Sequence, residues 1–502
     1  MKDYCNYLWL IIALMPIQLL AQGNDEFEKY KKSQKQQFEQ YREQKKRDFE
    51  EYRRKRNEEY ARFIRKDWVR KALSPVIPRP KETPVPPVVA PINKDKPIET
   101  TPKPLPFDEV VTVPQPKPQP KPVEPIEEVP VAPIDPPVSY AHFSFYGTKE
   151  KVRFDKNNTL RLPGIDENSI ADAWLFLSGK SYTNLIYDCL QIRKQRNLCD
   201  WAYLKMLEQM SANICGKGTN ESVLLMAYVY CQSGYKMRLA TDGAKLYMMF
   251  ASNHVIYNWN YYILDGEKYY AYNNATGNVR ICNQQYPKEQ SMSLTIPNKQ
   301  GIDIVASKGT IHQSKNNPEI NVCISANKNM LDFYSSYPTS MYGDNLVTRW
   351  ALYANMPMPI NVSDKLYPIL RKGIAGKKHL DAVNTILNWV QTGFEYEYDD
   401  KVWGHDRAFF PEESLYYPYC DCEDRSILFS RIVRDLLGLN VILVYYPGHL
   451  ATAVRFNENV NRDYILIDNE RYIICDPTYI GAPVGMTMPK MNNMTAKIIL
   501  LK

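Results

Sequence analysis

The chain has 502 residues, enough for two or three domains, and its aromatic content of 12% is sufficient for packed cores. Its formal net charge is +7. No glycine-rich phosphate loop follows a strand-like run, so a nucleotide is not expected as a ligand, and no nucleic-acid partner is expected either. The 36 prolines are unevenly distributed, which predicts globular and non-globular parts joined in series.

The first 21 residues have the pattern of a secretory signal peptide. Lys2 precedes an apolar run at residues 8–20, and Ala21 fits a cleavage point. This run is shorter than the roughly 20 residues that a membrane span needs, although an uncleaved anchor is the alternative. We therefore expect an exported protein, periplasmic or extracellular. Nine cysteines follow the signal, an odd number, so at least one is expected to be unpaired.

Aromatic residues recur at every eleventh position in the charged segment of residues 22–72. Eleven residues make three turns at about 3.67 residues per turn, which predicts a long helix with an aromatic stripe. The pattern leaves open whether this helix self-associates, docks on the cell envelope or is simply solvated. The two series are Phe27, Phe38, Phe49 and Tyr60, and Tyr30, Tyr41, Tyr52 and Phe63.

Residues 73–138 form a proline-rich segment, which includes the run PQPKPQPKPVEP. This composition favours extended polyproline II and cannot build a core. At about 3.1 Å per residue such a segment can reach on the order of 190 Å. We expect a spacer that separates the charged helix from the globular part.

The globular part repeats itself. Residues 218–237 align with residues 422–441 as a helix that ends at Gly234 or Gly438, and residues 261–273 align with residues 464–476 as a β-hairpin. RWALYANMPMPI, which starts at Arg349, echoes the strand-like HFSFYGTKEKVRF, which starts at His142. The near-constant offsets indicate a duplication with α+β architecture. The predicted domains are residues 139–290, a strand-rich junction at residues 291–345, and residues 346–502.

Three side chains in the second copy have the types that nucleophilic catalysis needs. Cys422 is predicted to begin a helix, where backbone N–H groups favour a thiolate. His449 begins an alternating strand 27 residues later, and Asp476 ends another strand after a further 27 residues. A nucleophile, a base and a group that orients the base form a catalytic triad if they meet in space. Glu423 and Asp424 oppose the helix terminus, because their charges raise the pKa of the thiol. Asp424 is also expected to cap or brace the helix, with Arg425 as its candidate partner.

These motifs resemble the transglutaminase-like superfamily: CEDRS is similar to its nucleophile motif, GHLATAV to its histidine strand and CDPT to its Asp-Pro end. The resemblance implies tandem transglutaminase-like, papain-like domains, with Cys422 as the nucleophile, His449 as the proton carrier and Asp476 as its orienting group. It implies no cofactor and no metal. A second oxyanion donor is not selected by spacing, and Trp389, Gln391 and Trp403 are the upstream candidates.

Other interpretations of these residues remain open. Cys420, Cys422, His449 and Cys475 match the ligand types of a zinc site. Cys420 and Cys475 are also candidates for a disulfide. Alternatively, Cys422 is a buried structural residue with His449 on the surface.

The first copy lacks the three side chains. Gly218 aligns with Cys422, Leu246 lies near the position of His449, and Asn273 aligns with Asp476. Cys215 and His254 are displaced from the matching positions. We therefore expect a catalytically silent first copy.

The leading hypothesis is exported, cysteine-dependent acyl transfer on peptide-like amides through a thioester, with hydrolysis favoured slightly over cross-linking. The expected partner is then a protein or peptide substrate. The alternative is an envelope adaptor whose paired domains bind without turnover.

Overall fold

The computed structural model describes residues 24–91, 101–123, 125–128 and 139–502, so the signal-like segment lies outside the described residues. The chain divides into two compact units, Met1–Glu59 and Tyr60–Lys502. The described part is mixed α+β with a long N-terminal helix, as the sequence predicts. None of its helices combines the length and the apolar character that crossing a membrane requires.

The described α-helices fall into three groups along the chain: a long charged helix, a first cluster before residue 235 and a second cluster after residue 327. They are α1 (Asn24–Ile64), α2 (Glu167–Leu177), α3 (Thr183–Gln195), α4 (Asp200–Cys215), α5 (Asn220–Gln232), α6 (Lys328–Ser336), α7 (Arg349–Ala354), α8 (Ile360–Ile374), α9 (His379–Thr392), α10 (Asp399–Val402), α11 (Pro411–Ser414) and α12 (Cys422–Leu437).

The described strands form two six-stranded sheets and three two-stranded pairs. They are β1 (Trp68–Lys71), β2 (Glu109–Val111), β3 (Tyr140–Phe145), β4 (Thr148–Arg153), β5 (Met237–Thr241), β6 (Leu246–Ala251), β7 (His254–Ile256), β8 (Tyr261–Leu264), β9 (Glu267–Ala271), β10 (Val279–Cys282), β11 (Thr310–Gln313), β12 (Asn321–Ile324), β13 (Ser340–Tyr342), β14 (Val441–Tyr446), β15 (His449–Arg455), β16 (Ile465–Ile467), β17 (Glu470–Cys475) and β18 (Lys497–Leu500).

Helix α1 carries the aromatic stripe. In the first unit the rings of Tyr30, Phe38 and Tyr41 are 55%, 65% and 61% exposed, so the described stripe is a solvent-facing feature there. Glutamates one turn away pair with Arg54 and Lys55, at 2.6 and 2.8 Å, which supports an exposed helix.

The two six-stranded sheets have the same strand order. The first is β8-β9-β6-β5-β10-β1 and the second is β16-β17-β15-β14-β18-β2, each with an outer strand that comes from before residue 112. Helices α4 and α5 precede the first sheet as α9 and α12 precede the second. This correspondence extends the internal repeat of the sequence to the fold.

One aligned pair does not correspond. The segment at Arg349 is helix α7, whereas the segment at His142 is strand β3, so the expectation that they are equivalent strands is wrong. Every residue of α7 is buried, because this short helix packs against α12. The run of five aromatic or aliphatic residues, Trp350–Ala354, suits a buried helix as well as a strand. The predicted junction at residues 291–345 holds strands β11, β12 and β13, and helix α6 as well.

The described parts of the proline-rich segment lie on the second unit rather than projecting from it. Strand β2 pairs in parallel with β18, and its Val111 is buried. Gln119 donates hydrogen bonds to Leu198 O and Asp200 Oδ1 at 2.8 and 3.1 Å. These stretches are extended, as composition predicts, but they do not form the free spacer that we expected.

Candidate active site

Helix α12 begins at Cys422, and local sequence determines this start. Asp421 is the N-cap residue, and its carboxylate accepts hydrogen bonds from the Glu423 and Asp424 N–H groups. Asp424 completes a capping box, because its own carboxylate accepts from Asp421 N at 3.2 Å. The helix ends at Gly438, which has a left-handed φ of 64°. Cys422 therefore lies in the first turn, as the sequence predicts.

His449 and Asp476 meet in the interior of the second sheet. Strand β15 starts at His449 and pairs with β17, which ends at Cys475, so the register places Asp476 beside the imidazole. His449 Nε2 lies 2.9 Å from Asp476 Oδ2, and both side chains are buried. The remaining oxygen, Asp476 Oδ1, accepts from Thr478 N at 2.9 Å and Tyr479 N at 3.2 Å. The carboxylate is therefore held on both sides.

Cys422 faces the start of strand β15. The Leu450 N–H forms a hydrogen bond with the thiol and favours its ionised form. One helical turn further along, Ser426 Oγ donates to Leu450 O at 2.8 Å, which ties α12 to this strand. Cys422 and His449 line one cavity of about 500 Å³. Within the described part of the chain, the buried His449 Nδ1 has no hydrogen-bond partner, so the imidazole and the Cys422 thiol are not hydrogen-bonded to each other in this conformation.

The surroundings of the thiol favour its neutral form in this conformation. Burial is the largest cause that raises the pKa of Cys422, followed by the charges of Asp421 and Glu423. Glu423 raises the pKa as the sequence predicts. Asp424 has a structural task instead, because it accepts hydrogen bonds from Phe409 N and Asp421 N. Ionisation of Cys422 is therefore expected to require a change in solvation or a protonated His449.

An acidic cluster borders Cys422. Oxygen atoms of Asp399, Asp421 and Glu423 lie within 4.8 Å of one another, close enough to share a cation. Burial and the charges of Glu423 and Asp406 raise the pKa of Asp399 to about 8. Such a shift shows that close carboxyls compete for protons when they are buried together. The described residues give no second feature that points to an ion, so we assign no metal here.

The side chains of the three candidate oxyanion donors make other contacts. Trp389 Nε1 donates to His312 O at 3.3 Å, and Trp403 packs edge-to-face against Tyr417. The buried Gln391 Nε2 contacts three carbonyl oxygens in the loop after β17, and its Oε1 accepts from Gly481 N. Gln391 thus holds the Asp476 loop. Sequence spacing does not predict that Gln391 holds this loop, because all of its hydrogen-bond partners named here are backbone groups. The three carbonyls belong to Asp476, Tyr479 and Ala482.

The zinc and disulfide interpretations do not match the described geometry. The nine described cysteines are all free thiols. Cys420 Sγ lies 3.8 Å from Glu395 O, and Cys475 Sγ lies 3.6 Å from Ile473 O. The acidic trio is the one group with metal-binding spacing that the described residues form, so the cysteines and His449 do not make such a group.

Strand register identifies the counterparts in the first copy. Thr241 pairs with Leu246 as Tyr445 pairs with Leu450, which places the exposed Lys245 at the position of His449. Asn273, also exposed, follows β9 as Asp476 follows β17. Gly218 precedes α5, which begins two residues later than the alignment predicts.

His254 is not a substitute for the missing histidine. It lies in β7, which belongs to a separate two-stranded pair, and burial lowers its pKa to about 3. Its Nδ1 accepts a hydrogen bond from Leu294 N at 3.1 Å. Cys215, at the end of α4, has burial as the main cause of a raised pKa.

Comparisons with known proteins add no assignment. No protein-family model, curated protein or solved structure matches the chain.

Proposed function

We propose that the chain is an exported cysteine-dependent enzyme that transfers the acyl group of peptide-like amides through a thioester, with hydrolysis favoured slightly over transamidation. One observation carries the proposal: His449, which is paired with Asp476, and Cys422 line the same cavity. The resemblance of the three motifs to transglutaminase-like enzymes supports the same assignment.

The proposed reaction has two halves, acylation of Cys422 and hydrolysis of the thioester. In each half His449 accepts one proton and returns it. His449 accepts the Cys422 proton, and the sulfur attacks the amide carbonyl carbon to give a tetrahedral oxyanion. The Cys422 N–H is the first-turn donor proposed to stabilise that charge, because the Glu423 and Asp424 N–H groups bind the Asp421 carboxylate. The C–N bond then breaks, and His449 returns the proton to the leaving amine. His449 then takes a proton from water, and the water oxygen attacks the thioester carbonyl carbon. The C–S bond breaks, His449 returns the proton to the sulfur, and the carboxylic acid leaves. An acceptor amine in place of water would give transamidation.

Release of amine or ammonia from a peptide library tests this proposal. Wild-type protein should release amine, and Cys422→Ala should reduce the rate to background, because no other described thiol lines this cavity. Cys323→Ala is the matched control, since Cys323 is an exposed free thiol outside the site, and it should retain the wild-type rate. Added alkylamine, traced by mass spectrometry, separates hydrolysis from transamidation. Equal background release from wild type and Cys422→Ala would favour the adaptor instead.

A further inference from the structure

Part of the proline-rich segment crosses the candidate active site. Residues 79–90, which we call the strap, begin with a stretch, residues 79–84, that lines the same cavity as Cys422 and His449. Both of those side chains are buried, with exposures of 4% and 2%. The cleft that a substrate must enter is therefore shared with a segment of this chain.

Specific contacts hold the strap beside His449. Val85 N donates to Gly448 O at 2.8 Å, and Tyr445 Oη donates to Glu82 Oε1 at 3.0 Å. Gly448 has a φ of +77°, and a Cβ at this position would collide with the carbonyl oxygen of Thr83. The residue immediately before His449 thus has to be glycine for the strap to approach this closely.

The strap is also anchored at both ends. At its start, the Arg79 guanidinium donates to Asp406 O at 3.1 Å. At its end, Ala90 N donates to Ile480 O at 2.8 Å, and Ile480 N donates to Val88 O at 3.0 Å. Ile480 lies in the loop that follows Asp476. An extended chain with alternate backbone hydrogen bonds to a domain is the way in which many domains hold a peptide ligand.

Charge complementarity indicates what the cleft accepts. Asp400 and Asp406 contribute to its wall, and the strap places the Arg79 guanidinium at the backbone carbonyl of Asp406 on this acidic side. Asp406 is also 3.4 Å from Arg349, so the acidic wall is only partly neutralised from within the domain. A basic side chain of an extended peptide fits the position that Arg79 takes.

We propose that the strap is an intramolecular pseudosubstrate: it occupies the substrate cleft, it must leave before Cys422 reacts, and the substrate that replaces it is an extended peptide with a basic side chain. This inference rests on the proposed function for the identity of the cleft. Displacement of the strap opens the cleft to water and to substrate together.

Alkylation of Cys422 by iodoacetamide, followed by site-resolved mass spectrometry, measures the occupancy of the cleft without any need for catalysis. Arg79→Gln and Tyr445→Phe each remove one strap contact, and we expect each to speed labelling about five- to tenfold, the effect of one lost hydrogen bond. Arg161→Gln is the matched control, because it removes the charge of an exposed arginine that does not line this cavity, and it should label at the wild-type rate. A synthetic peptide of residues 79–90 should slow labelling of Arg79→Gln again.

Wild-type labelling rates in both variants would overturn the inference, as would random-coil hydrogen exchange at the Val85 and Ala90 amides of folded wild-type protein. Exchange also reports whether a variant has kept its fold. Failure of the proposed function has a different signature: faster labelling of Arg79→Gln and Tyr445→Phe with no amine release from any variant. If labelling is unchanged in both variants and amine release still depends on Cys422, the proposed enzyme activity stands and the pseudosubstrate inference fails.

Discussion

The carboxylate of Asp476 contacts three groups, and only one of them is the imidazole. Two backbone N–H groups bind Oδ1, which leaves Oδ2 directed at His449 Nε2. This arrangement fixes the tautomer of the neutral imidazole, because Nε2 must carry its proton to donate to the carboxylate. Nδ1 is then the basic nitrogen, and it is the nitrogen proposed to accept the Cys422 proton.

Asp476→Asn is predicted to leave the fold intact and to abolish most of the activity. The amide oxygen can still accept the two backbone hydrogen bonds, but the amide NH₂ would donate to Nε2 and shift the proton to Nδ1. We expect kcat to fall about 10²- to 10⁴-fold, as when other triads take the wrong tautomer. Steady-state kinetics on the best library peptide measures the loss.

Asp468→Asn is the control for this substitution. Asp468 lies in the turn between β16 and β17, is exposed and has a φ of 48°, a conformation that asparagine tolerates well. Its kcat should match that of wild type. An Asp476→Asn enzyme with more than about half of the wild-type kcat would show that this carboxylate does not orient a catalytic base.

Gln391→Leu is predicted to destabilise the protein and to impair the site together. The substitution keeps the side-chain size but leaves the carbonyls of Asp476, Tyr479 and Ala482 without their common donor in a buried loop. We expect a loss of about 2–4 kcal/mol in the free energy of unfolding, measured by urea denaturation. A change below about 0.5 kcal/mol would mean that the loop holds Asp476 without Gln391.

At the scale of single residues, the sequence predicts the three side chains proposed for catalysis but not the groups that hold them in place. Cys422, His449 and Asp476 are predicted because their chemistry is unusual in this order on helix and strand, and the structure pairs His449 with Asp476. Gln391 was considered for another role, since a glutamine that binds distant backbone carbonyls leaves no pattern in the sequence. The contact between the strap and Gly448 leaves no sequence pattern either, because it joins residues more than 350 positions apart.

At the scale of elements, the two helix-ending glycines provide a matched experiment. Gly438, after α12, has a φ of 64° and open space where a Cβ would point, whereas a Cβ on Gly234, after α5, would collide with the backbone of Lys121. Gly438→Ala should cost about 1–2 kcal/mol of unfolding free energy from left-handed strain alone. Gly234→Ala should cost about 1–3 kcal/mol more, because the proline-rich segment must move.

Urea denaturation of the two variants in parallel measures this difference, since both glycines have a positive φ, 93° at Gly234 and 64° at Gly438. Equal losses would show that the segment around Lys121 does not stay against α5 in solution. The comparison is informative because the sequence alignment already equated these two glycines, and the fold gives each the same place at the end of a helix before a strand.

Sequence patterns predicted those elements whose signal is local. The helix of α12, the hairpins and the period of α1 follow from capping residues, turns and an eleven-residue spacing. The segment at Arg349 was assigned to a strand, because a short run of buried aromatic and aliphatic residues has no period that separates strand from helix. Its packing against α12 decides its state, and that packing involves residues about 75 positions away.

At the scale of the whole molecule, composition alone was a poor guide to the proline-rich segment. Prolines exclude a core of their own, but they do not prevent an extended chain from lying on a domain that others have built. Strand β2 and the strap both do so, with backbone hydrogen bonds at the residues between prolines. Their backbone hydrogen-bond partners, such as Gly448 and Ile480, are in a different part of the chain.

The buried acids of the second unit make its stability depend on pH in a defined direction. The pKa of Asp399 is about 8 in the folded protein, against an ordinary value near 4, so the folded state binds this proton more tightly than the unfolded state. The stabilising contribution is fully present below pH about 4 and is lost as the pH rises towards 8. Other carboxyls and histidines titrate in the same range, so the wild-type curve alone does not isolate Asp399.

The Asp399→Asn variant isolates the contribution of Asp399 to the pH dependence. Its amide oxygen can still accept the hydrogen bond from the Arg407 N–H, but its side chain cannot ionise. Relative to wild type, the unfolding free energy of this variant should rise steadily between pH 4 and pH 8 and then level off. Asp364→Asn, at an exposed position on α8, should run parallel to wild type throughout. Urea denaturation at unit pH intervals gives the curves. A constant difference between Asp399→Asn and wild type would mean that Asp399 stays ionised in the folded protein, and that the acidic wall carries its full charge when a basic peptide arrives.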